Sequence, residues 1–544
     1  MAKYKVTTRY GTKSGTDAAD TFDVYGENNT VYGKGGKDTI NVYGTENTVY
    51  GDSGADRITV FKSGSSWNHE IYGGAGNDIF VVKKNKSVYA CFYGDAGNDR
   101  FTVNGGAVSI YGDSAPSNQK KTTGNDTITF NGGTFAYADG GDGKDSITVN
   151  GGTEGSIYGG AGNDTIKIYA GKFDVHGGDG KDTIILDKKA SSKSEYYGVT
   201  TYISGDAGND KIKVTSGKNF FGIDGGTGHD TISVNGGKRH NIYGGTGNDS
   251  ITLKNCPHYN YVYEYYDGTK STTKYGTEVY GGAGNDTITV TGGSYSIVFG
   301  DYAYSSSGNA TGHDRFYVKS GTGHEIFTGW GNDKVYVSGG RNIFIKNGIN
   351  ESHLFVGSED IYSGNDRIEI SGGKNIAFQG SQGTSDGKDY GAETIVITGG
   401  SGLDISTQGC ADTITISGGT GKVDAGSGKN KVTINWTDNV SDYFITADEL
   451  LDDRIVINNA KSTDFIATRD IYTPLGYISP TLGGHDYLIF THKTTGATIT
   501  LTGWSSNDET TYGAYFAGDK KIVFSKPGQS PMEEAARKTP GYSG

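Results

Sequence analysis

An acidic residue recurs along the chain, and each time it closes a glycine-rich run. The markers are Asp20, Asp38, Asp56, Asp78, Asp99, Asp126, Asp145, Asp164, Asp182, Asp210, Asp230, Asp249, Asp286, Asp314, Asp333, Asp366, Glu393, Asp412, Asn430 (an amide in the same slot) and Asp453. In its fullest form the run is G-G-x-G-x-D, as in "GGAGND" at residues 73–78, 159–164 and 281–286, with "GGTGHD" at 225–230, "GGTGND" at 244–249 and "GGDGKD" at 140–145 and 177–182. Glycines allow the left-handed backbone that aims several carbonyls into one space, and the aspartate adds a hard anionic oxygen. An all-oxygen cage of this kind suits Ca²⁺, which takes six to eight flexible oxygen ligands, better than Zn²⁺ or Mg²⁺.

A single such aspartate would be read as a turn cap bonded to a backbone N–H. More than a dozen in register are another matter, because unneutralised carboxylates stacked about 5 Å apart repel one another. The residues read as metal ligands are therefore Asp38, Asp56, Asp78, Asp99, Asp126, Asp145, Asp164, Asp182, Asp210, Asp230, Asp249, Asp286, Asp314, Asp333, Asp366 and Asp412. The loops closing at Asp126, Asp314, Glu393, Asp412, Asn430 and Asp453 depart from the full form.

The elements that must position these loops follow from the spacing. Markers lie mostly 18 or 19 residues apart, and the longer gaps of 27, 28 and 37 read as one period plus an insertion. Internal repetition on this scale signals a solenoid. After each marker the chain alternates: in "DTITV" at 286–290, Ile288 and Val290 face one way and Thr287 and Thr289 the other, which is strand period. Two inward residues per coil are expected, from Phe22 and Val24 to Ile414 and Ile416. The second half of each period, as in "VNGGTEGSIYGG" at 149–160, carries a glycine pair and a second short strand without an aspartate.

These features predict an all-β fold, a right-handed parallel β-solenoid with 18–19-residue coils, surface insertions and a C-terminal β cap. At about 4.8 Å per coil, some 20 coils would span roughly 95 Å. Domains are expected at 1–14 (N-terminal cap), 15–434 (solenoid), 435–525 (capping region) and 526–544 (tail). The capping region includes an antiparallel-looking pair at 486–504 and a strand at 520–525, and the tail holds the best helix candidate, "PMEEAARK" at 531–538. One ion ladder along one edge, and a plain glycine turn along the other, is the expected asymmetry.

Composition agrees. The 544 residues include 91 Gly and 38 Tyr but only 7 Pro, and only 33% are hydrophobic, too few large aliphatics for a thick core. The net charge of −13 argues against nucleic acid, which needs a basic face, and points to cations. About 14 ions at +2 would reverse it to about +15. Cys91, Cys256 and Cys410 are odd in number and far apart, giving no disulfide framework. Neither an N-terminal signal peptide nor a transmembrane stretch is visible.

The loop followed by x-U-x, with U apolar, resembles the nonapeptide of the RTX (repeats-in-toxin, hemolysin-type calcium-binding repeat) family of secreted bacterial proteins, over roughly residues 15–435. That resemblance implies a calcium-bound β-roll with multiple Ca²⁺ ions and folding on exposure to extracellular calcium. It also implies type I secretion through an uncleaved C-terminal signal, to which the tail would contribute, and hence an extracellular or cell-surface location by a route independent of a signal peptide.

Catalytic constellations are absent from the sequence. "HEIYG" at His69 and "HEIFT" at His324 lack the second histidine of a zinc protease, and "GSGKN" at 426–430 occupies a marker slot. The expected role is a secreted calcium-binding structural or adhesive protein of surface-layer, matrix or adhesin type. The alternatives are a carbohydrate-active or carbohydrate-binding solenoid and an ice-binding solenoid. The outward residues Thr39, Arg57, Ile79, Arg100, Thr127, Thr165, Lys211 and Arg315 are too mixed for an ice lattice. The insertion at 255–279 reads as a hairpin turning at Asp267 and Gly268, with Tyr259, Tyr261, Tyr263 and Tyr265 on one face; it and those at 114–123, 191–202 and 301–311 are candidates for self-association or for surface glycans.

Overall fold

Strict alternation makes each short segment a strand with one face for the interior. In Thr39–Val42, Ile40 and Val42 are fully buried while Thr39 and Asn41 are half-exposed. The computed structural model describes residues 2–61, 69–85, 88–113, 122–133, 135–187, 201–215, 221–264, 270–301, 312–347, 365–380, 391–407, 410–426 and 430–435. Beyond these it describes the strands Val440–Thr446, Arg454–Asn458, Phe465–Tyr472, His485–His492, Thr498–Ser505, Gly513–Phe516 and Lys521–Ser525. No helix occurs among the described residues, and the helix candidate at 531–538 lies outside them.

The chain divides into two compact units, Met1–Ile251 and Thr252–Gly544. In each, the strands of successive coils pair in parallel, alternating between two sheets, so two parallel sheets are laid down alternately and the fold is a parallel β-solenoid. In the first unit, Phe22 pairs with Ile40 and Ile40 with Ile58 in one sheet, and Val31 pairs with Val49 and Val49 with Ile71 in the other. In the second, Ile288 pairs with Phe316 and Phe316 with Val335, while Val279 pairs with Val298 and Val298 with Ile326. Residues 3–6 and 12–14 are already strands in register with those of the following coil.

Insertions leave this register untouched. Phe101 pairs with Ile128 and Ile184 with Ile212, because the extra residues leave the coil at a loop and return to it before the next strand. The interior is richer than two residues per coil. The second strand adds a third buried side chain, such as Val31, Val49, Ile71, Ile157 or Val175 in the first unit and Val298, Ile326 or Ile405 in the second. Each is worth about 1.5–3 kcal/mol when fully buried, and like residues stack: the Phe80 and Phe101 rings lie 4.5 Å apart and 4° from parallel.

Outward faces stack as well. In the first unit Tyr32, Tyr50, Tyr72, Tyr93 and Tyr111 form a continuous column, with ring centroids 5.0, 4.8, 4.7 and 5.2 Å apart. This column accounts for part of the tyrosine content.

The insertion at 255–279 contains an antiparallel hairpin, Tyr259–Glu264 with Lys270–Tyr275; the expected turn at Asp267 and Gly268 lies outside the described residues. Towards the C-terminus, Arg454–Asn458 still pairs in parallel with Lys431–Asn435 but takes Lys521–Ser525 as an antiparallel neighbour. The expected antiparallel pair is present as His485–His492 with Thr498–Ser505.

Candidate metal centre

Each loop begins where the second strand ends and finishes at the marker. Its first glycine is fixed by crowding: a Cβ on Gly73 would lie 2.5 Å from Asp78 Oδ2 and 2.6 Å from the Gly94 carbonyl of the following coil. The third, Gly76, has φ of 145° and lies against the Gly54 carbonyl of the preceding coil, leaving no room for a side chain. These glycines therefore bring an aspartate oxygen and successive carbonyl oxygens to one place. All are acceptors.

The markers form a ladder in which each backbone N–H donates to Oδ1 of the next marker. In the first unit Asp38 N bonds Asp56 Oδ1 at 2.7 Å, Asp145 N bonds Asp164 Oδ1 at 2.7 Å and Asp230 N bonds Asp249 Oδ1 at 2.7 Å. In the second, Asp286 N bonds Asp314 Oδ1 at 2.7 Å and Asp314 N bonds Asp333 Oδ1 at 2.8 Å. The markers from Asp20 to Asn430 are buried; Asp453 lies outside the described residues. Insertions are stepped over, with Asp99 bonding Asp126 and Asp182 bonding Asp210, 27 and 28 residues on.

The second carboxylate oxygen is the chemically informative one. Oδ2 of Asp38, Asp56, Asp78, Asp99, Asp126, Asp145, Asp164, Asp182, Asp210, Asp230, Asp314 and Asp333 is buried without a hydrogen-bond donor. An uncompensated buried charge is costly, and burial accordingly pushes these carboxyls upward: Asp56 to about 7, Asp145 to about 8 and Asp99 to about 9. A proton, a bound water or a cation would relieve such a site, and of these a cation also balances the charge. Among the described residues no cluster of three or more His, Cys, Asp or Glu is placed to hold a metal, so a cation here would take no more than two carboxylates and otherwise carbonyl oxygens. That donor set fits Ca²⁺.

Two marker positions, one in each unit, behave differently. At Asp20, Oδ2 accepts the Thr16 N–H and hydroxyl, both at 2.8 Å, and Oδ1 accepts Ala2 N–H at 2.7 Å; these bonds hold its carboxyl below the usual range. At Asn430, Oδ1 accepts Asp412 N–H at 2.9 Å, while Nδ2 donates to the carbonyls of Ala425 and Gly426 at 2.9 and 3.3 Å. An amide donor thus fills the place where an aspartate rung presents only acceptors.

From Thr328 onward the first-glycine slot also changes. It holds Thr328, Asn347, Thr407 and Ala425, all buried, with glycine kept at Gly380. Thr328 Oγ1 donates to Asp366 Oδ2 at 3.0 Å, Asn347 Nδ2 to Glu393 Oε1 at 2.8 Å, and Thr407 Oγ1 to the Ala425 carbonyl at 2.8 Å. Asp366, one of the expected ligands, therefore has its second oxygen occupied by a hydroxyl. Asp126 and Asp314, whose loops looked degenerate, are full rungs. Their first glycines, Gly112 and Gly300, stand before the insertions and still lie against Oδ2 of Asp126 and Asp314.

Two features went unread in the sequence. Where the residue before the marker is Asn or His it builds a second ladder running the opposite way: Asn98 N bonds Asn77 Oδ1 at 2.9 Å, Asn125 N bonds Asn98 Oδ1 at 2.7 Å, and Asn248 N bonds His229 Nδ1 at 2.7 Å. The recurring Asn-Asp pair was its signal. The opposite edge is also not a plain glycine turn throughout, which corrects that expectation. Buried Asn29, Asn47 and His69 stack there, with Asn29 N on Asn47 Oδ1 at 2.9 Å and Asn47 N on His69 Nδ1 at 3.1 Å. His324 repeats the arrangement with Ser296 N at 3.2 Å. Both "HEI" histidines are thus acceptors for a neighbouring coil.

Residues 14–44, 23–58, 70–82, 93–115, 156–167, 241–253 and 278–297 match the family model of the RTX calcium-binding nonapeptide repeat. No curated protein matches the chain.

Proposed function

The chain carries RTX repeats and binds multiple calcium ions through them, and on that premise we propose that it is a secreted structural or adhesive protein whose fold is assembled by extracellular calcium. The aspartates from Asp38 to Asp333 with an open Oδ2 are the ligands, each with carbonyls of its own and the neighbouring loop. The carrying observation is the ladder of buried, donorless Oδ2 atoms facing glycine carbonyls. A site that exists only in the folded chain turns binding energy into folding energy.

The adhesive part draws support from the exposed aromatic surface. The stacked tyrosines of the column are half-exposed, and the hairpin places Tyr261 beside Tyr275 with Val262 53% exposed. The test is sedimentation and glycan binding in calcium, with Tyr261→Ser and Val262→Ser compared with the unmutated chain. Unchanged assembly and binding would remove the hairpin from the proposal.

A carbohydrate-binding reading has one specific observation in its favour. His176 interrupts the tyrosine column, stacked 5.0 Å from Tyr158, and its Nδ1 is held by Asp206 at 3.2 Å. That contact fixes the ring and raises its basicity. Glycan binding abolished by His176→Ala with calcium content unchanged would favour this reading.

A further inference from the structure

The second position of the loop is glycine in most coils, but Asp301 occupies it after Gly300, and the insertion at 302–310 separates the pair from Gly312, His313 and Asp314. Asp301 is 1% exposed. Its Oδ2 accepts the Trp330 N–H of the following coil at 2.8 Å, and its Oδ1 is buried without a donor. Asp314 is fully buried, with Oδ1 on Asp286 N–H at 2.7 Å and Oδ2 likewise donorless beside Gly300. Thus one loop presents two buried carboxylates, each satisfied on one oxygen and open on the other. Neither has a cationic partner among the described residues.

Position two is acidic elsewhere, at Asp52, Asp95, Asp113 and Asp206. Asp52 is half-exposed and accepts Lys34 N–H at 3.0 Å, and Asp206 pairs with His176 at 3.2 Å. Asp113, before the other split loop, is buried, and its Oδ2 accepts Asp142 N–H at 2.6 Å. Asp301 shares with Asp113 its burial in the loop of a ladder rung, and it is the one joined to a tryptophan, through the Trp330 N–H. Mutual repulsion of the two charges would expel one of them from the interior unless a cation lay between.

We propose that Asp301 and Asp314 form a two-carboxylate site for a hard divalent cation, Ca²⁺ by donor chemistry, outside the matched repeats and tighter than the single-carboxylate rungs. Calcium affinity rises with the number of charged ligands in a site. The proposal rests on the reading of the loops as calcium sites, and it adds an order: this position fills first and empties last.

Trp330 makes the site observable. Its backbone touches Asp301, so a lanthanide bound there lies within energy-transfer range of the indole. The full chain, stripped of calcium and titrated with Tb³⁺ under excitation selective for tryptophan, should show sensitised emission from the first equivalent. Trp330→Phe should remove that emission with the circular dichroism intact, and Asp301→Asn should weaken the first step about ten-fold or more while later steps keep their midpoints. On back-titration with chelator, the Trp330-dependent emission of the unmutated chain should be the last lost.

An unchanged first step in Asp301→Asn overturns the proposal, as does emission indifferent to Trp330→Phe. If Asp301→Asn loses its β-structure, the order of loss in the unmutated chain decides, and emission that vanishes with the bulk of the ions overturns it. Loading of many ions with no early Trp330 step defeats this inference alone, whereas no loading at all defeats the calcium ladder with it.

Discussion

The rungs of the first unit and the last rungs of the second use one backbone plan with opposite chemistry. Between Asp38 and Asp230 the first slot of the loop is glycine and Oδ2 has no donor. From Asp366 to Asn430 the slot holds Asn347, Gly380, Thr407 and Ala425, and hydroxyl or amide donors meet Asp366 Oδ2, Glu393 Oε1 and the loop carbonyls. Loop geometry therefore does not by itself require an ion. The ion requirement arises where every group that faces the gap is an acceptor, and it disappears where a single donor is supplied.

The largest expected effect separates the two regions outright. Chelation should abolish most β-structure by circular dichroism, and hydrogen exchange should show protection lost first around Asp56 to Asp230 and last around Thr394–Ile397 and Thr413–Ile416. Full retention of β-structure without calcium would sink the ladder.

Acidity should sharpen the same contrast. With Asp56, Asp126 and Asp210 raised to about 7, Asp145 to about 8 and Asp99 to about 9 by burial, the metal-free fold holds more protons than the unfolded chain. Its stability is then greatest below the ordinary carboxylate range near 4 and is lost as pH rises towards 7–9. Calcium reverses the sign, since its ligands must be deprotonated. Metal-free β-structure should therefore be recoverable at pH 4 to 5 and absent at pH 8, and calcium affinity should rise over the same interval. A pH-independent metal-free state would contradict the buried, donorless oxygens.

Smaller effects test single slots. Gly73→Ala drives a methyl against Asp78 Oδ2 and the Gly94 carbonyl and should cost about 1–3 kcal/mol of calcium-loaded stability, read by thermal melting. Thr328→Ala removes the hydroxyl on Asp366 and should cost about 1 kcal/mol without calcium, with the loss recovered in calcium if Asp366 then behaves like an earlier rung. Asp182→Asn should change stability least, because an amide can donate to loop carbonyls as Asn430 does. Mass spectrometry under native conditions should then find one calcium fewer, and an unchanged ion count would remove Asp182 from the ligand set.

Much of this could be read in the sequence because the repeat exposes it many times over. Ile40, Ile58 and Ile147 alternate with polar neighbours, and alternation in short segments closed by glycine turns has few structural solutions. The markers are legible for the same reason, since an aspartate after a glycine run is informative when it recurs at a coil's length. The Asn77 to Asn125 ladder was hidden because nothing in an Asn-Asp pair says which backbone group its amide will meet one coil away. Asp301 was hidden because its partner Asp314 is separated from it by an insertion.

By itself, then, the sequence determined the period, the strand faces, the buried residues of the first sheet and the oxygen-rich edge, all properties of one coil repeated. Tertiary structure decided which oxygens are left without a donor. Asp38 and Asp20 follow similar local patterns, yet Thr16 donates to Oδ2 of Asp20 and no donor meets Oδ2 of Asp38; Asp366 is answered by Thr328, 38 residues earlier. Hydrogen-bond satisfaction is a property of neighbouring coils, and the spacing that makes coils neighbours is long in sequence and short in space.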